Sequence, residues 1–261
     1  MKKGIATVLG MMVGAVSAEP MTLVVPGDNP EKAAAIVAEA LKRDLGRDYF
    51  TGLERKARGG DAAAVLELGE LVATGEYLPD DQVLAQRCLR AQAERGHMEA
   101  MMEMGRFALF GFGMEKNPAE AADWYRRAGE AGNGEAWRLL GVMSYNGMGL
   151  PADKSQALKY WQMAVEAGNA AAHDDLAVCY FEGDGVEKDW GRALELWTRG
   201  AALGHDRSQY NLAVCYLKGE HVEKNQQKAV ELLEAAAAQN HAGSIRLLRY
   251  LEEEEDGQQE E

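Results

Sequence analysis

Apolar and small residues return along this chain every 36 positions, and that period predicts stacked pairs of amphipathic helices. Counted from Gly60, Gly96, Gly132, Gly168 and Gly204, the eighth following residue is Leu68, Met104, Leu140, Leu176 or Leu212. The ninth is small: Gly69, Gly105, Gly141, Ala177 or Ala213. Two more small columns keep the register, Ala64, Ala100, Ala136, Ala172, Ser208 and Ser244, and Ala85, Ala121, Ala157, Ala193 and Ala229. Asn240 takes the place of the next glycine, and Leu248 follows it by eight. Several independent columns in one register predict an array of repeats.

Each unit reads as two helices. The first runs from the second to the fourteenth position after the boundary glycine. A tight link follows, such as Gly111-Phe112-Gly113, Gly147-Met148-Gly149 or Gly183-Asp184-Gly185, where glycine permits the positive φ that turns the chain back. Asp81, Asn117, Asp153, Asp189 and Asn225 are predicted to cap the second helices, with Pro118 at a first helical position. Trp124-Tyr125, Tyr160-Trp161 and Leu196-Trp197 then fall on one helical stripe, as a core between helices requires. No such pair buries its stripe alone, so the units must stack.

The predicted units are 60–95, 96–131, 132–167, 168–203 and 204–239, closed by a capping helix at 240–251. Residues 252–261 are acidic and lack apolar side chains, which predicts a disordered tail. Residues 19–59 lack the columns. They read as a helical cap, one helix starting at Asn29-Pro30 and a second spanning Arg47 to Arg58.

The stretch from Ala172 to Gly204 carries Leu176-Ala177, Tyr180, Gly183-Asp184-Gly185-Val186, Asp189, Ala193, Trp197 and Ala201-Ala202 in order. In these residues the unit resembles the Sel-one-like repeat family, a branch of the tetratricopeptide-type solenoids. Units 96–131 and 132–167 match nearly as well. The first unit departs most, with Gly75-Glu76-Tyr77 at its link and Cys88-Leu89 in place of the aromatics; the fifth has Gly219-Glu220-His221. The resemblance implies an all-α, right-handed α/α superhelical solenoid of about five helix-pair repeats with helical caps. It also implies a scaffold or adaptor for other proteins, with the first helix of each unit lining a concave groove.

Charge narrows the partners. The chain has 28 Lys and Arg against 42 Asp and Glu, a net charge of −14. That excess repels phosphate backbones, so nucleic acid is not an expected partner, whereas basic protein segments are favoured. Lys2 and Lys3, the apolar run Gly4–Val16 and the small residues before Glu19 read as a signal peptide, residues 1–18, cut near Ala18. A periplasmic or secreted protein without a membrane span in its mature form is therefore expected. An N-terminal anchor that stays uncleaved is the alternative.

Catalytic signatures are missing: the chain has no His-Glu-x-x-His, no phosphate-cradling glycine loop and no Ser-x-x-Lys. No cofactor and no metal site is expected. His97, His205 and His241 share one repeat position, and equivalent positions in packed units stand too far apart to converge. His173 with Asp174 and Asp175 reads as a polar helix face rather than a metal site. Cys179 and Cys215 occupy a core column as buried thiols. The competing class is an envelope enzyme or ligand-binding protein acting on cell-wall or β-lactam-like material, for which Asp174, Asp175 and Glu182 would supply carboxylates.

If the first helices line a groove, columns that change chemistry between units should be partner-specific. Six positions after the boundary stand Leu66, Met102, Arg138, Asp174, Tyr210 and Arg246; ten after stand Glu70, Arg106, Val142, Val178, Val214 and Tyr250. Thirteen and fourteen after come Tyr145-Asn146, Phe181-Glu182 and Leu217-Lys218. The candidate binding residues are Arg106, Arg138, Tyr145, Asn146, Asp174, Phe181, Glu182, Tyr210, Lys218 and Arg246. Arg138 and Asp174 are expected to fix polar ends of a bound peptide, while Tyr145, Phe181 and Tyr210 supply apolar contact.

Overall fold

A computed structural model describes residues 49–259 of the protein, leaving out 50, 54, 60, 62, 66, 68, 70–78, 113 and 220. All described residues belong to one compact unit, Arg47–Glu261. The signal segment, the helix expected from Asn29, and Gly60, Leu66, Leu68 and Glu70 of the first unit lie outside the described residues. No strand occurs among those described.

Ten helices can be followed end to end among the described residues. They are α1 (Pro79–Glu94), α2 (Met98–Phe110), α3 (Pro118–Glu130), α4 (Gly134–Asn146), α5 (Lys154–Glu166), α6 (Ala170–Glu182), α7 (Trp190–Ala202), α8 (Asp206–Lys218), α9 (Gln226–Ala237) and α10 (Ala242–Gln259). Before α1, the described residues between Tyr49 and Arg58 are helical, inside the second helix expected for the N-terminal cap. The first helices α2, α4, α6 and α8 begin two and end fourteen residues after their boundary glycines, as predicted. The boundary glycines themselves turn the chain, with φ of 97°, 100°, 80° and 83° at Gly96, Gly132, Gly168 and Gly204. Asn240 holds the same turn at φ 65°, which asparagine tolerates better than most residues.

The caps explain why the link is so regular. Asn117, Asp153, Asp189 and Asn225 each accept the amide three residues on, at 3.1, 2.9, 2.9 and 2.9 Å. Their own amides donate back to the carbonyls of Ala108, Ser144, Tyr180 and Tyr216 in the first helix, at 2.7 to 3.0 Å. Each link is thus tied at both ends. In the first unit α1 already starts at Pro79, three residues earlier than a cap at Asp81 would place it, as proline suits a first helical position.

Packing accounts for the small columns. A Cβ added at Gly105 would stand 2.5 Å from the Tyr125 ring, and one at Gly141 would stand 2.3 Å from Trp161 Nε1. Rings from the second helix therefore sit directly on the small residues of the first, and Trp124, Tyr125, Trp161, Leu196 and Trp197 are buried. The second glycine of the link has a different task. A Cβ at Gly149 would lie 2.3 Å from the Pro118 carbonyl carbon, so this link rests on the second helix of the preceding unit. In the last unit His221 takes that place at φ 61°, and its ring stacks on Trp190 with centroids 4.3 Å apart.

The acidic stretch after Leu251 departs from expectation, since α10 continues through it to Gln259. Glutamate and glutamine are good helix formers, and extending a helix already nucleated by packing is inexpensive.

One buried side chain breaks its column. Gln92 of α1 stands where later units have Ala128, Ala164, Gly200 and Ala236; it is fully buried, and neither atom of its amide finds a partner. Leaving a polar group in that state costs about 1–3 kcal/mol. Gln92→Met, of similar length, is expected to stabilise the fold by about that amount, read as a higher urea midpoint at unchanged slope. A lower midpoint would show that the amide is satisfied in solution.

Candidate functional site

Successive first helices touch one another, α4 against α6 and α6 against α8, and so build a common wall. The +6 column runs along this wall, and two of its three charges, Arg138 and Asp174, are used within it. Asp174 of α6 has no exposed surface. Its Oδ1 accepts the Trp197 indole N–H at 3.0 Å and the Asn211 amide at 2.7 Å, while the Arg207 guanidinium lies 3.1 Å from Oδ2. One carboxylate thereby ties together α6, α7 and α8. It does not stand open to fix the end of a peptide.

Arg138 of α4 is engaged in a second such joint. Its guanidinium donates to Glu135 at 2.8 Å and to Asp175 of the next first helix at 3.1 Å, and the Asn169 amide donates to Glu135 at 2.9 Å. Burial works against the Glu135 carboxylate, yet Arg138 and Asn169 hold it below the usual carboxylate range. Burial pushes Asp175 the other way, up from its ordinary value, against the pull of Arg138. Glu135 raises the affinity of Arg138 for its proton. Two of the three acids offered for hydrolytic chemistry, Asp174 and Asp175, are each matched to an arginine from a flanking helix.

Below this ladder the wall opens. Val178, Phe181 and Glu182 of α6, Asn211, Val214, Cys215 and Lys218 of α8, and Trp197 of α7 surround a hollow of about 170 Å³. Phe181 is held on its far side by Trp190, with centroids 4.2 Å apart, and lies 5.3 Å from the Trp197 ring. Glu182 and Lys218 are exposed at the rim. Three of the candidate residues, Phe181, Glu182 and Lys218, thus converge on one place.

The remaining candidates are scattered along the array. Tyr145 packs its ring 5.7 Å from Trp161 and donates its hydroxyl to Asp184, which also receives Lys154. Lys154 and Tyr145 hold the Asp184 carboxyl below its usual range. Asn146 is exposed and donates to the Val142 carbonyl at 2.8 Å. Tyr210 lies 4.9 Å from the His241 ring, and Arg246 is exposed on α10. Arg106 pairs with Glu103 and sits 5.3 Å over the Phe112 ring.

Two residues that the sequence reading passed over belong beside Arg106. Phe110 is 60% exposed, and its ring lies 5.8 Å from that of Phe112. Phe110 occupies the fourteenth position of its unit, the same column as Asn146, Glu182 and Lys218. Reading that column through every unit, and not only the middle ones, would have found it.

Histidine and cysteine take structural places. His173 is buried, not on a polar face, with Nδ1 3.0 Å from the Asn169 carbonyl. Among the described residues no group of three or more His, Cys, Asp or Glu side chains could hold a metal ion. Cys88 and Cys179 are buried and Cys215 is half-buried in the wall of the hollow; none is in a disulfide. Burial pushes the Cys179 thiol up to about 12.

The Sel1 repeat profile matches five segments of this chain, residues 62–97, 99–133, 135–169, 170–205 and 206–241. A Sel1 repeat protein from Oxalobacter formigenes superposes with a TM-score of 0.64 at 25% identity, over 81% of this chain and 85% of that one. The protective antigen c5321 of uropathogenic Escherichia coli, described as having an SLR fold, superposes with a TM-score of 0.58 at 21% identity. That match spans 86% of this chain and 59% of the other. No curated protein matches the chain.

Proposed function

Because this chain belongs to the Sel1 repeat family, we propose that it is a protein-interaction scaffold that holds an extended peptide, or a partner's surface segment, along the wall of first helices. The observation that carries this reading is the hollow between α6 and α8. At about 170 Å³ it is smaller than the roughly 300–1,000 Å³ of small-molecule sites. It suits one apolar side chain of a longer ligand, set on an aromatic floor with Glu182 and Lys218 exposed at the rim. Phe110 and Phe112, with Arg106 over the ring, offer a second anchor of the kind that dominates interface energetics.

Export to the periplasm or beyond is part of the proposal. It rests on the sequence of residues 1–18. No described helix is long and apolar enough to cross a membrane.

Filling the hollow tests the reading. Peptides selected from a displayed random library on the wild-type protein are expected to carry an apolar anchor residue. They should bind Val214→Phe at least roughly tenfold more weakly, the scale of losing a central anchor, while its melting temperature stays near that of wild type. Selected peptides that bind both proteins equally would remove the hollow as the site.

A further inference from the structure

The first helices do not all begin in the same way. Asn133 and Asn169 cap α4 and α6 by accepting the amides of Ala136 and Ala172, each at 2.9 Å. At the equivalent place before α8 and α10 stand His205 and His241. Their Nδ1 atoms accept the amides of Ser208 at 3.3 Å and Ser244 at 3.1 Å. Those nitrogens also lie 3.0 and 2.9 Å from the hydroxyls of the same two serines, both fully buried. His97, which is followed by Ala100 and not by serine, makes no side-chain cap on α2. The array thus uses two capping pairs, asparagine with alanine and histidine with serine.

A backbone N–H can only donate, so both imidazoles must keep Nδ1 unprotonated and carry their proton on Nε2. Protonation would turn Nδ1 into a donor and leave the buried Ser208 and Ser244 amides without an acceptor. It would also set a positive charge at the positive end of a helix dipole.

We propose that the start of α8 is a pH-sensitive element, in which neutral His205 fastens the helix and releases its first turn on protonation. Around His205, burial favours the neutral ring and Arg207 of α8 adds to it. Asp174 and Asp175 of α6 and Asp206 of α8 oppose it; the balance lies below the ordinary histidine value. Its stabilising contribution is therefore complete above that ordinary value of about 6.5, and disappears as pH falls from there through the lowered one. His241 faces the Tyr210 ring of α8. Because α8 supplies Asn211, Val214, Cys215 and Lys218 to the hollow, acid loosens that wall whatever it holds.

Amide exchange on the full chain at pH 7.5 and pH 5.5, corrected for the intrinsic rate, tests this. The first turn of α8 is expected to lose roughly fivefold in protection at the lower pH, the size of one lost cap. Those of α4 and α6 should keep theirs. A variant carrying His205→Asn and Ser208→Ala should show no such difference among α4, α6 and α8. Independently of any variant, imidazole nitrogen shifts at pH 7.5 should report the Nε2–H tautomer at both histidines. Equal acid sensitivity of the first turns of α4, α6 and α8, or an Nδ1–H tautomer at His205, would overturn the proposal.

Discussion

Asp174→Ala is expected to lower the free energy of unfolding by about 3–5 kcal/mol, the usual cost of removing one partner from a buried charged network. The carboxylate is fully buried and holds the Trp197 indole and the Asn211 amide, with Arg207 3.1 Å away. Without it, the buried Trp197 indole and the half-buried Asn211 amide lose their acceptor at once, and a void is left where three helices meet. Arg207 can turn to water, since more than half of its side chain is exposed. Asp174→Asn retains an acceptor oxygen and should lose only about 1–2 kcal/mol. Urea denaturation of both variants decides the matter. An alanine variant as stable as wild type would mean that this joint contributes nothing net.

Gly149→Ala is expected to cost about 3 kcal/mol or more, the sum of a strained left-handed residue and a forced close contact. Its φ is 70°, and the added Cβ would stand 2.3 to 2.6 Å from three backbone atoms of Pro118 and Ala119. Backbone at the start of a capped helix has little room to yield, so the preceding unit would have to shift as a body. Gly96→Ala supplies the control. It shares the left-handed conformation at φ 97°, but its Cβ would enter open space, so only the strain of about 1–2 kcal/mol remains. Thermal melts of the two variants separate strain from contact. Equal losses would show that the link does not rest on its neighbour.

The fold was legible because packing writes itself into the sequence at a fixed period. Gly105 facing Tyr125 and Gly141 facing Trp161 are contacts within a unit, so both partners recur and the columns stand out. The second glycine of the link shows in the sequence only as a turn residue, because its contact lies in the preceding unit and changes identity, from Pro118 at Gly149 to Lys154 at Gly185, while His221 in the same place meets Trp190. The wall was legible only in outline. Variable columns pointed to Phe181, Glu182 and Lys218, which do surround one hollow. The same columns also pointed to Arg138 and Asp174, which are spent on joints between helices. A charge that pairs across units looks identical, in one sequence, to a charge that awaits a ligand. The partners of Asp174 are 23, 33 and 37 residues away, and nothing in their spacing marks them.

Those joints differ from one end of the chain to the other. Arg138 with Asp175 and Asp174 with Arg207 and Asn211 clamp the α4, α6 and α8 region, whereas α10 is held by the apolar contacts of Leu247, Leu248 and Leu251. In an array where each unit leans only on its neighbours, such unevenness sets an order of failure. Pulled from Gln259, the array would yield one hinge at a time, from α10 inward, halting at the aspartate clasp.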